Sequence, residues 1–108
     1  TGALLASNDK LRIIITGRGG HASMPHDALD PVPIACEIAL ALQNFVTRQI
    51  SVFDPAVVTI GQISAGTTDN VIPETALLYG TMRTLSATTR AKLHEGVPRL
   101  AQGIAAAQ

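Results

Sequence analysis

The hydrophobic residues of this chain change their spacing as the chain runs, and the order of those periods restricts the fold more than any single motif does. In Lys10 to Thr16, KLRIIIT, the residues Leu11, Ile13 and Ile15 alternate with Lys10, Arg12 and Thr16. A period of two belongs to a strand with one face buried. After a glycine-rich segment the period lengthens. Asp30 followed by Pro31 reads as an N-cap with proline at the first helical position, and no breaker follows Pro33 before about Arg48, so a helix is expected over 30–48. Ala56 to Ile63, AVVTIGQI, and Thr75 to Thr84, TALLYGTMRT, are again strand-like, rich in β-branched residues and bounded by the turn-forming DP and SAGTTDNVIP. Leu85 and Ser86 offer a staple and an N-cap, and Leu93, Val97, Leu100 and Ile104 then recur at helical spacing.

The resulting order is β-α-β-β-α, with the second and third strands forming a hairpin across a long loop. Five elements of the six-element ferredoxin-like βαββαβ pattern are present and the closing strand is missing. The expected fold is therefore α+β: a two-layer, ferredoxin-like antiparallel sheet with two helices on one face. Residues 1–108 read as a single domain with one core, and as a piece of a larger enzyme cut before its last strand. With aromatic residues at only 3%, the core has to be built from Ile, Val, Leu and Ala.

Four local features carry expectations of their own. Gly17, Gly19 and Gly20 are expected to supply positive φ where the first strand ends. The first helix has two apolar stripes, one through Val32, Ala35, Cys36, Ala39, Leu42 and Val46 and one through Ile34, Ile38, Ala41 and Phe45. One stripe suffices to cover a sheet, so the second meets either another helix of this chain or another molecule. Cys36, on an apolar stripe, reads as a core residue. Pro98 removes a hydrogen bond from the second helix, so a kink or break is expected between His94 and Pro98.

Eight basic and eight acidic residues give no net charge and no basic cluster, so nucleic acid and anionic membranes are set aside as partners. A single cysteine excludes an internal disulfide and fits a reducing compartment. With no apolar run of membrane-spanning length and no signal-like start, the expected location is the cytoplasm. His21, His26, Asp27 and Asp30 lie close in sequence. Neither histidine sits in a periodic segment and Pro25 stiffens the backbone between them, so no metal site is expected. GRGG at 17–20 matches neither phosphate-binding fingerprint, and no serine or cysteine has a nucleophile motif around it. Three residues remain by position: His21 ending the glycine turn, Asn70 in the loop before the third strand, and Arg83 at that strand's far end. Histidine, asparagine and arginine are donors that bind carboxylates and oxyanions without changing charge.

The segment GRGGHASMPHDALDP, the loop GTTDNVIPETALLYGTMRT and the order of elements resemble the dimerisation, or lid, domain of the di-zinc peptidases. That family includes hippurate hydrolase, auxin-conjugate amidohydrolases, aminoacylase, succinyl-diaminopimelate desuccinylase and carboxypeptidase G. The resemblance covers nearly the whole chain and is closest to the N-acyl-amino-acid amidohydrolase branch. It implies that two zinc ions sit in a separate catalytic domain of the parent, held by a His-x-Asp motif, a bridging Asp, a Glu-Glu pair and a further His, none of which this chain contains. It implies that His21 reaches into the partner subunit's active site and donates to the oxyanion of the tetrahedral intermediate. Asn70 and Arg83 then hold the substrate, a small N-acyl amino acid or peptide, with Arg83 on its carboxylate, while His26 serves the loop structurally. A homodimer is expected through helix 30–48 and strand 56–63, and the fragment alone is expected to be inactive. The rival reading is a free-standing ferredoxin-like regulatory module that binds a small molecule; such a module has no reason to gather His21, Asn70 and Arg83 at one site.

Overall fold

The computed structural model describes residues 7–108, and its elements follow the expected order. They are β1 (Ser7–Thr16), β2 (Gly20–His21), a single 3-10 turn at Pro25–Asp27, α1 (Pro31–Gln49), β3 (Ala56–Ala65), β4 (Val71–Ile72), β5 (Thr75–Thr84) and α2 (Ala87–Ala107). The long strands make an antiparallel sheet in the order β1-β5-β3. β5 is central and its residues alternate: Ala76, Leu78 and Met82 are buried, whereas Thr75, Thr81 and Arg83 are exposed on the other face. On the buried side they meet Leu11 and Ile15 of β1, Val58 of β3, Ile34, Ala35, Ile38 and Leu42 of α1, and Leu93, Val97 and Ala101 of α2. Burying each large aliphatic side chain here contributes about 1.5–3 kcal/mol. The result is the two-layer ferredoxin-like arrangement with both helices on one face.

Both helices begin on side-chain caps. Asp30 Oδ1 accepts from the Val32 N–H at 3.0 Å, with Pro31 in the first turn. Ser86 Oγ accepts from the Thr89 N–H at 3.1 Å. The Ser86 hydroxyl in turn donates to the Asp54 carboxylate, which also accepts from Thr89 Oγ1 at 2.8 Å, and these two bonds hold the Asp54 carboxyl below its ordinary range. The loop before β3 is thereby pinned to the start of α2. Along β1 the outer edge is unpaired among the described residues, and an apolar hollow lined by Leu11, Ile15, Ile34, Ile38, Val97 and Ala101 runs beside it. A closing strand of the six-element pattern adds at such an edge.

One local expectation is corrected and two are narrowed. Cys36 is exposed, because the row it begins, with Leu40, Gln43 and Thr47 one, two and three turns on, faces away from the core while Ala35, Ile38 and Leu42 face into it. The break expected near Pro98 is absent: α2 runs unbroken from Ala87 to Ala107. Pro98 and His94, the residue whose carbonyl it leaves unbonded, are both exposed, while Leu93, Val97 and Ala101 beside them are buried and hold the helix down before and after the proline. The second α1 stripe is covered within the chain, since Ile38 lies in the core and the Phe45 ring packs against Gly96 of α2, where a Cβ would collide with it.

Candidate functional site

β1 and β5 do not stop at the end of the sheet. Past Thr16 the Gly17 N–H donates to the Glu74 carbonyl at 2.7 Å, and Arg18 exchanges two 2.8 Å bonds with Leu29. β2 then pairs antiparallel with β4, Gly20 opposite Ile72 and His21 opposite Val71, and the Ala22 N–H reaches the Asn70 carbonyl at 3.0 Å. This second, two-stranded ladder carries His21 and Asn70 together beyond the three-stranded sheet. The glycines before it act by close approach and not, as expected, by positive φ: among the described glycines only Gly66, at 77°, lies in the left-handed region. A Cβ on Gly17 would collide with the Leu29 carbonyl, and one on Gly19 would stand 2.7 Å from the Ile72 carbonyl. Side chains there would push apart the strands that present the histidine.

The chain turns sharply after His21, with the Met24 N–H donating to the His21 carbonyl at 3.0 Å. Inside that turn the Ser23 N–H donates to His21 Nδ1 at 3.1 Å, and Ser23 Oγ lies 2.7 Å from the same nitrogen. His21 is exposed, and its Nε2 has no hydrogen-bond partner among the described residues. Asn70 is exposed as well, its side-chain oxygen only distantly approached by Thr68 Oγ1 at 3.5 Å. Between the two loops lies a polar hollow bordered by Ala22, Asp30, Thr68, Asp69 and Ile72.

Arg83 is elsewhere. It is exposed on the open face of β5, between Asn8 and Val57, eight positions from the Thr75 end where the His21 ladder begins; at 3.3 Å per residue that is about 26 Å. One protomer therefore brings His21 and Asn70 together and leaves Arg83 apart. His26 and Asp27 face each other at 3.6 Å with both side chains about two-thirds exposed, a contact of little energetic consequence. Among the described residues no three of His, Cys, Asp and Glu converge as metal ligands. One Asp30 oxygen caps α1 and one His21 nitrogen faces Ser23, so the donors of this loop do not fit a metal. Sequence reasoning missed β2, β4 and Ser23. Two-residue strands are too short to show a period, and a serine in a turn is too common to signal anything.

Fold and loop together define a ferredoxin-like α+β domain that carries a histidine-bearing ladder outside its sheet. Over residues 7–105 the chain matches the peptidase dimerisation domain, and it belongs to that family. It is 45% identical to N-acetylcysteine deacetylase of Bacillus subtilis, over 97% of this chain and 28% of the relative. It is 46% identical to N-acetyldiaminopimelate deacetylase of a Geobacillus species, over 95% of this chain and 27% of the relative. Among solved structures it resembles a dinuclear metal binding peptidase of the M20 family from Bacillus subtilis, with a TM-score of 0.72 and 37% identity over 98% of this chain and 24% of that one. The relatives are hydrolases, and the chain spans about a quarter of their length.

Proposed function

We propose that this domain is the dimerisation and substrate-binding lid of a cytoplasmic metal-dependent amidohydrolase that cleaves N-acyl amino acids or peptides. The two metal ions that activate water in such an enzyme belong to its catalytic domain; this chain supplies donors. The observation that carries the reading is the engagement of His21 Nδ1 by the Ser23 N–H. It leaves Nε2 as the outward-facing nitrogen, at the tip of a ladder that holds the ring away from its own sheet. An N–H preorganised at a developing oxyanion is worth about 10²–10³ in rate. Asn70, carried on the same ladder, binds the substrate amide, and Arg83 pairs with its carboxylate.

The distance between His21 and Arg83 supports a site shared by two subunits. No small acyl amino acid spans about 26 Å of strand, but a two-fold axis beside the free edge of β3 reverses the strand direction of the second copy. The His21 end of one protomer then lies beside the Arg83 end of its partner. α1 runs antiparallel to β3, from Val32, which shares a hollow with Ala65, to Gln43, whose Nε2 donates to the Val58 carbonyl at 2.8 Å. Its exposed row, Cys36 and Leu40, and the half-exposed Ile63 flank that edge.

In the full-length enzyme His21→Ala should lower kcat by about 10²–10³ with a smaller effect on KM, because its donor meets charge that develops in the transition state. Arg83→Ala should instead raise KM, since a substrate carboxylate is charged already in the ground state. Mixing His21→Ala enzyme with a variant inactivated in the catalytic domain distinguishes action across the interface. About a quarter of normal activity should return on random subunit exchange, half of the dimers being mixed with one intact site of two. No recovery after proven exchange would assign His21 to its own subunit.

A further inference from the structure

The same turn that exposes His21 Nε2 contains a residue with no assigned part, Ser23. Its backbone N–H and its hydroxyl both address His21 Nδ1, at 3.1 and 2.7 Å. An amide N–H can only donate, so the nitrogen that it meets carries a lone pair and no hydrogen. The hydroxyl, on the same nitrogen, then has to donate as well. In a neutral imidazole the single proton is left on Nε2.

We propose that Ser23 is a positioning residue that fixes the tautomer and the orientation of His21, so that Nε2–H is its only donor and points out of the domain. This rests on the reading of His21 as an oxyanion donor, for which the other tautomer is useless: with the proton on Nδ1 the outward nitrogen would present a lone pair to a developing negative charge. The turn bond from the Met24 N–H to the His21 carbonyl keeps Ser23 folded back over the ring. No acid, base or metal is needed for the effect. The two atoms that produce it come from one residue two positions along the chain, so it is built into the loop before any dimer or catalytic domain is met.

The tautomer is read directly from the ¹⁵N shifts of the His21 ring in this chain, at a pH where the ring is neutral. Wild type should show one protonated and one unprotonated ring nitrogen, assigned to Nε2 and Nδ1. Ser23→Ala removes the hydroxyl bond and keeps the amide, and loss of one such bond should shift the tautomer ratio by about two- to tenfold toward Nδ1–H. Ser23→Thr should restore the wild-type spectrum. In the full-length enzyme Ser23→Ala should lower kcat in proportion to the loss of the Nε2–H fraction read from the shifts, at unchanged KM, and should have no further effect in a His21→Ala background. An unbiased tautomer mixture in wild type, or ring shifts indifferent to Ser23→Ala, overturns the proposal. An Nε2–H fraction that falls while kcat does not would support Ser23's hold on the ring and overturn the oxyanion role of His21 instead.

Discussion

Gly80 and Gly61 lie in neighbouring strands, yet an added methyl group meets opposite conditions at the two. At Gly80, in the middle of the central strand, a Cβ would collide with the Thr59 carbonyl of β3. That backbone cannot yield without opening the ladder, so Gly80→Ala should cost about 1–3 kcal/mol. At Gly61 the pairing register shifts between Ile60 and Gln62, and a Cβ has nothing within 4 Å. Gly61→Ala should be neutral or stabilise by about 0.4–1 kcal/mol, through a less flexible unfolded chain. Urea midpoints of the two variants measure both effects, and equal losses would mean that strand propensity and not backbone contact sets them. The same distinction explains what could be read at this scale. His21 and Asn70 stand out by position, one ending the glycine turn after the first strand and the other in the loop before the last. The reason for the glycines was misjudged, because a close approach to Leu29 and Ile72 is a long-range fact that no local pattern contains.

Among the elements, sequence and structure agree best where the signal is local. The caps at Asp30 and Ser86 depend on residues within a turn of themselves, and both occur as expected. Pro98 does not break α2, because its cost is local while its compensation, the burial of Leu93 and Val97, comes from other elements. One link between elements was not legible at all. Asp9 of β1 accepts from Arg90 Nε and Nη2 of α2 at 2.9 and 3.0 Å, and His94 Nε2 lies 3.2 Å away. The Arg90 bonds foremost, and the His94 contact after them, lower the Asp9 carboxyl from 3.8 to about 2. A carboxylate whose pKa is lower folded than unfolded stabilises fully above its unfolded value, and that contribution vanishes as pH falls through the folded one. Its loss is therefore confined to the interval from 3.8 down to about 2. Asp9→Asn should unfold more easily than wild type near neutrality and converge with it toward about pH 2, with a smaller difference at high salt because the pair is largely exposed. Stability curves that stay parallel throughout that interval would show that the pair orders the surface without stabilising the fold.

For the whole molecule, the question is which surface a second copy would cover. Helix α1 and strand β3 were expected to form it, on the strength of the two apolar stripes. The structure keeps that helix and that edge as candidates but changes the side chains: Ile38, 1% exposed, and Phe45, against Gly96, belong to the interior. Leu40 of α1, 74% exposed, and Ile63 of β3, 53% exposed, are apolar groups that this helix and edge leave for a partner. A two-fold axis along that edge brings each substitution in twice, so Leu40→Asp places two carboxylates in one apolar contact, and neither finds a counter-ion among Cys36 and Ile63. In the full-length enzyme Leu40→Asp should halve the mass seen by sedimentation while leaving the thermal unfolding of each protomer cooperative. Ile38→Asp should differ in kind, because a carboxylate in the core among Leu42, Leu78 and Leu93 abolishes folding instead of assembly. The monomeric Leu40→Asp enzyme should also lose turnover, since His21 then has no partner site to enter. An enzyme that becomes monomeric and keeps its kcat would separate assembly from catalysis, and His21 would have to serve the site of its own chain.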